Sequence, residues 1–139
     1  MSALDVTMKD LQEQGIYQTE RRIFKRGDVW MVDFGRDKKL RGEVRGYRPA
    51  VIIQNNCGNL HSTNKIVVPV TSSQIKIDKH LVTHAPVFIR RESVAQTELV
   101  YTVNEERFCK YVCTLTEEEM LDIEYRLLMS LGLTKLGNR

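Results

Sequence analysis

Arg48 is the residue whose setting in this chain most suggests chemistry. It stands between Tyr47 and Pro49, directly before the apolar run Ala50 to Ile53. A following proline restricts the preceding backbone to an extended form. The guanidinium is thereby anchored at the mouth of a buried strand. Its fixed charge and planar fork suit either a phosphate oxygen or a carboxylate, and Glu43 and Asp33 are the carboxylates at hand. Other groupings carry less. His80 and His84 are four residues apart, a spacing that binds metal only on a helix, and Pro86 follows them closely. Cys109 and Cys113 share that spacing inside a strand-like segment, where they read as packing residues. Cys57 and His61 lie in NNCGNLHSTN, a polar stretch that reads as a surface turn with nothing to orient the imidazole. The chain contains no P-loop, dinucleotide fingerprint, HExxH or CxxC pattern. No metal and no cofactor are expected.

Arg48 follows a thirteen-residue link, Gly35 to Tyr47, that holds five basic residues and three glycines. That is long for a hairpin, and long loops in compact domains are usually functional or mobile. Between Arg21 and Arg48 ten basic residues face four acidic ones, although the whole chain carries only +3. The compensating acids gather late, at Glu117, Glu118, Glu119, Asp122 and Glu124. A basic pole of this kind attracts polyanions, and it also describes many solvated surfaces.

The elements that must position Arg48 are mostly strands. Val29 to Phe34 is β-branched and aromatic between Gly27 and Gly35. Ala50 to Ile53 is too short for a helix and suits a strand buried on both faces. Ile66 to Val70 repeats the pattern, with Pro69 marking an edge or an irregularity. Val87 to Ile89, Glu98 to Val103 and Phe108 to Thr114 complete the set. No helix is expected between them, so an antiparallel, closed or half-closed barrel is favoured over a doubly wound sheet. One helix closes the domain. Thr116 and Glu119 form a T-x-x-E capping box, and Gly132 is its stop. Met120, Leu121, Ile123, Leu127, Leu128 and Leu131 give it an apolar stripe too wide for one small barrel. Either a second copy of the chain or an N-terminal helix covers the remainder. Such an N-terminal helix is suggested by Leu4, Met8 and Leu11, and a frayed terminus is the other reading.

With 139 residues, 42% hydrophobic and 28% charged, the chain has the composition of one soluble folded domain. No apolar stretch approaches the roughly 18 residues of a membrane span. Asp5, Lys9 and Asp10 interrupt the start where a secretory signal needs its apolar block. Three cysteines cannot all pair within one chain, which fits a reducing compartment. These features point to the cytoplasm.

Lys25-Arg26-Gly27-Asp28-Val29, then Gly46-Tyr47-Arg48-Pro49, an apolar strand, and Gln54-Asn55-Asn56-Cys57-Gly58-Asn59 together resemble the opening of MazF/PemK toxins. The similarity continues through Val67 to Thr71, Arg91 to Val94, Glu98, Thr102 and Ser130 to Leu133. It spans Lys25 to Leu133, 109 of 139 residues. Residues 1–22 then form an N-terminal extension, 23–134 the toxin domain and 135–139 a tail. The resemblance implies a mainly β fold, a Src-homology-3-like plasmid-maintenance-toxin barrel with a C-terminal α-helix, and a homodimer. It also implies a metal-independent, sequence-specific endoribonuclease that cuts single-stranded RNA to 2′,3′-cyclic phosphate and 5′-hydroxyl ends. A cognate antitoxin would neutralise it by laying a flexible tail in the RNA groove.

Under that resemblance the catalytic arginine falls on Arg48 and the catalytic threonine on Thr71. Family residues near the substrate correspond to Glu43, Ser93 and Glu98. Tyr47, Ser72 and the loop cations Lys38, Lys39, Arg41 and Arg45 complete the expected RNA-binding set. The residue types fit the chemistry. The 2′-hydroxyl of RNA supplies the nucleophile, so the protein must orient the nucleotide and stabilise charge on the phosphoryl oxygens. Leu99 and Tyr101 depart from the Gln and Arg often found there in the family, which puts the recognised sequence in question. Two rivals follow: a non-catalytic toxin of the same fold, such as the gyrase-poisoning kind, and a decayed toxin that only binds RNA or antitoxin.

Overall fold

The computed structural model describes residues 22–38, 40–72 and 83–133. The elements are β1 (Asp28–Asp33), β2 (Tyr47–Ile52), α1 (Asn56–His61), β3 (Asn64–Ser72), β4 (His84–Phe88), β5 (Glu92–Gln96), β6 (Tyr101–Asn104), a 3-10 turn (Glu105–Arg107), β7 (Phe108–Thr114) and α2 (Glu117–Ser130). Among the described residues every strand pairing is antiparallel. The order is β4-β5-β3-β2-β1-β7, with β6 also on β3. The fold is therefore mainly β with a C-terminal helix, as expected.

The apolar runs become central strands because both faces of the sheet are covered. Val29, Val51, Val68 and Val70 enter one core cluster with Ala85, Val87, Ala95 and Leu115. Trp30, Val32, Ala50, Ile52 and Val67 point the other way, into a cluster with Phe24, Phe34, Val103 and Phe108. Period-two alternation thus feeds two cores from the same strands. β3 changes partners along its length: residues 64–67 pair β6, 67–69 pair β2, and 70–72 pair β5. The switch from β2 to β5 follows Pro69, whose missing N–H cannot extend a ladder. That is the irregularity expected of it.

α2 begins at the capping box, with Thr116 Oγ1 accepting from Glu119 N at 3.1 Å and Thr116 N donating to Glu119 Oε1 at 3.0 Å. It docks on the first cluster through the fully buried Ile123, helped by Met120 and Leu127. Burying one such side chain is worth about 2–3 kcal/mol. Leu121, Leu128 and Leu131 remain exposed, so about half of the stripe has no cover among the described residues. The KRGD segment explains the docking. Asp28 Oδ2 accepts from Lys25 N and its Oδ1 from Thr114 Oγ1, while Arg26 pairs with Glu124 at 3.1 Å.

Three expectations are corrected. A helix does precede the terminal one: Asn55 caps α1 by accepting from Gly58 N at 2.8 Å. The stretch expected to be a surface turn is therefore ordered by its own asparagines. β5 was not expected, because Glu92 and Gln96 at its ends mask the buried Ser93, Val94 and Ala95. The strand expected from Glu98 begins only at Tyr101, since Leu99 N bonds back to Gln96 O in a turn. The N-terminal helix expected around Leu4, Met8 and Leu11 lies outside the described residues. No helix among the described residues is long and apolar enough to cross a membrane.

Candidate active site

The long link is closed at its neck. Gly46 N donates to Gly35 O at 2.6 Å and Phe34 N to Gly46 O at 3.0 Å. Both glycines hold positive φ, +90° and +77°, which a side chain would resist. The neck delivers the chain into β2 with Tyr47 and Arg48 as its first two residues. Ala50 of β2 pairs Pro69 of β3, and Arg48 and Thr71 each stand two residues beyond that pair. Where β3 leaves β2 for β5, a cleft of about 540 Å³ opens.

Arg48 and Thr71 both line this cleft, with Tyr47, Ser72 and Ser93 beside them. Five of the expected site residues are thus brought together. Arg48 is exposed and forms no ion pair among the described residues, so neither Glu43 nor Asp33 neutralises it. Asp33 Oδ1 accepts instead from Gly35 N at 2.9 Å, and Glu43 Oε1 from Leu40 N at 2.8 Å. Arg36 lies 5.2 Å over the Tyr47 ring and steadies the cleft rim by a cation–π contact.

The remaining expected residues lie elsewhere. Glu43 lines a separate cleft of about 160 Å³ with Phe34, Tyr101 and Arg107. Tyr101 holds the link there, its hydroxyl accepting from Val44 N at 3.1 Å. Glu98 Oε2 sits 2.9 Å from His84 Nε2, and its Oε1 accepts from Thr83 Oγ1 at 3.2 Å. That arrangement ties β4 to the β5–β6 turn, away from the cleft. Lys38, Arg41 and Arg45 are exposed on the link and do not line the cleft, and Lys39 lies outside the described residues. Of the histidine and cysteine pairings, His80 is also outside them. Among the described residues no group of His, Cys, Asp or Glu is arranged to hold a metal ion.

The cleft also contains cations that sequence reasoning missed: Arg90 and Arg91 from the β4–β5 turn, and Lys110 from β7. With Arg48 they make four, and among the described residues no Asp or Glu lines the cleft. Arg90 holds φ +60°, the sole positive value at a non-glycine among the described residues. Such a conformation costs roughly 1–2 kcal/mol. Behind this wall, burial pushes the Cys113 thiol up from its ordinary value, with Glu119 and Asp28 adding to the rise and Arg90 opposing it. The arrangement can bind a phosphoryl group, and the hydroxyls of Tyr47, Thr71, Ser72 and Ser93 can orient a ribose.

Comparison with known proteins agrees with this fold. The family model described as PemK-like, MazF-like toxin of type II toxin-antitoxin system matches residues 25–131. An Endoribonuclease MazF of Staphylococcus epidermidis is 32% identical over 120 residues, covering 84% of this chain and 98% of that protein. MazF (Form-I) from Deinococcus radiodurans superposes with a TM-score of 0.67 at 16% identity, over 81% of this chain and 99% of that one. An endoribonuclease in complex with its cognate antitoxin from a mycobacterial species gives 0.63 at 21%, over 82% and 98%. At such identities the structural likenesses speak for the fold alone, whereas the family model covers most of the chain. The chain belongs to the PemK-like, MazF-like toxin family of type II toxin–antitoxin systems.

Proposed function

We propose that this chain, an endoribonuclease of the MazF type, cuts single-stranded RNA sequence-specifically and without a metal ion. In this reading the 2′-hydroxyl of one nucleotide attacks the adjacent phosphorus. The bond to the 5′-oxygen breaks, leaving a 2′,3′-cyclic phosphate and a free 5′-hydroxyl. Arg48 donates two hydrogen bonds to the phosphoryl oxygens as their charge grows, and the Thr71 hydroxyl donates a third or orients the sugar. An arginine stays protonated at neutral pH, so its part is mainly electrostatic. DNA survives because it lacks the nucleophile. The toxin is neutralised by a cognate antitoxin, and the half of the α2 stripe left exposed among the described residues supports a homodimer.

The observation that carries this reading is the shared cleft. Arg48 and Thr71 come from neighbouring strands and line one cavity whose polar side chains, among the described residues, are all cations and hydroxyls. A gyrase-poisoning or merely binding protein of the same fold requires no such pairing. Incubation with single-stranded RNA in EDTA decides the matter. Fragments ending in cyclic phosphate are expected. Intact RNA, or cleavage only after a divalent cation is restored, would overturn the reading.

A further inference from the structure

β4 and β5 pair up to Phe88↔Glu92, and Ile89 N donates to Arg91 O at 2.9 Å. That leaves Arg90 alone at the tip of a three-residue turn, at φ +60°. Glycine is the residue such a tip ordinarily requires. The chain instead keeps an arginine there against its backbone preference, on the rim of the cleft that holds Arg48. Arg91 follows it and Lys110 lies across from it on β7, opposite Met31. None of the three forms an ion pair among the described residues. One scissile phosphate carries a single negative charge, which Arg48 alone can meet. Three further cations without an ion pair, on a surface with no carboxylate among the described residues, therefore call for further negative charges.

We infer that Arg90, together with Arg91 and Lys110, holds the phosphates flanking the scissile one, so that the cleft grips a run of RNA backbone across the β4–β5 turn. The inference rests on the RNA-cleaving reading above and names where its substrate lies. These contacts carry no base information. They set register and affinity, while Arg48 and Thr71 act on the reacting phosphate. The hydroxyls of Ser72 and Ser93 between the two groups suit ribose or phosphate oxygens. An acidic protein segment would meet the same charges, and the binding measurements below separate it from a nucleic acid.

Arg90→Gly separates the alternatives because stability and binding should move in opposite directions. Relief of the strained backbone raises Tm. Binding is read with a short single-stranded DNA of mixed sequence, which keeps the phosphates but cannot be cut. The slope of log K against log salt should become shallower by about 0.7, the value for one phosphate contact on a single strand. Lys110→Gln should lower the slope similarly without the gain in Tm. On RNA, KM should rise while kcat and the cleaved positions stay as in the wild type. A higher Tm with an unchanged slope would make Arg90 a mere turn residue and overturn the inference. Lost binding of an acidic peptide with unchanged DNA binding would do the same. Because DNA binding is read without turnover, a wild type that fails to cut RNA would sink the proposed function and leave this measurement intact.

Discussion

The two ends of β3 use similar side chains to opposite purposes. At one end Lys65 is 1% exposed, and its ammonium meets Glu105 at 3.0 Å, the Ser62 carbonyl, and the Phe24 ring at 5.0 Å. Arg22 is equally engaged there, donating to the carbonyls of Phe108 and Glu105 while lying 5.3 Å over Phe24. At the other end, beyond Thr71 and Ser72, Arg48, Arg90, Arg91 and Lys110 are exposed with no anion among the described residues. The first end satisfies its charges internally, so removing one partner there destabilises the fold. The second leaves donors aimed at solvent, one of them from a strained turn, which does nothing for stability and prepares the surface for an anion. Charge alone does not distinguish these ends; the presence of a partner does.

Substitutions at the open end should therefore impair cleavage, through the chemical step at Arg48 and through KM at the flanking cations, and spare the fold. Arg48→Ala is expected to lose at least about a hundredfold in single-turnover cleavage, the scale for removing one transition-state donor. Its Tm should stay near that of the wild type, because the side chain is exposed and has no ion-pair partner to abandon among the described residues. A variant that cuts as well as the wild type would remove Arg48 from the mechanism. One that unfolds would erase the contrast between the two ends.

At the closed end the signs reverse. Lys65→Ala should cost about 2 kcal/mol in urea unfolding, below the range for a wholly buried pair because Glu105 is part-exposed and can be rehydrated. Lys65→Met, which keeps the packed stem, should cost less. Cleavage per folded molecule should be unchanged in both. Next in size is Asn59→Ala. Asn59 is 5% exposed, donates to Gln54 O at 2.9 Å and to Asn56 Oδ1 at 3.1 Å, and accepts from Gln54 Nε2 at 3.3 Å. Its loss should cost about 1–2 kcal/mol, the penalty for leaving buried polar groups without partners. A large drop in cleavage from Asn59→Ala with stability intact would move this knot from scaffold to site.

The same contrast explains what the amino-acid sequence could and could not disclose. The central strands were readable because Val29 to Phe34 and Ala50 to Ile53 are apolar on both faces, and α2 because Thr116 and Glu119 sit at capping distance. The KRGD and QNNCGN segments match the family closely, yet the structure uses them for docking α2 and capping α1. A motif match does not say whether its residues are scaffold or chemistry. Arg90, Arg91 and Lys110 were hidden for a different reason. Polar ends concealed β5, and without β5 the tight turn carrying Arg90 is invisible. Lys110 enters the cleft only through the β1–β7 register, which two irregularities shift. The contact of Glu98 with His84 was hidden for a similar reason, because the two are fourteen residues apart in the chain.

Cys113 offers the finest test of where Arg90 stands. Its thiol is held up mainly by burial, with Glu119 and Asp28 in support and Arg90 against. A raised value means less thiolate at any given pH, so alkylation of Cys113 should lag that of the exposed Cys57 and gain speed only in the alkaline range. The neutral thiol is the form that burial favours. Its contribution to stability is therefore full at neutral pH and lost as pH rises through the folded value. Removing Arg90 takes away the one opposing influence, so Arg90→Gly should slow Cys113 alkylation further while Cys57 serves as internal reference. Bound single-stranded DNA, by neutralising the same guanidinium, should slow it in the wild type and have little effect in the variant. If DNA slows both proteins alike, the nucleic acid merely shields the thiol, and Arg90 is not the group it meets.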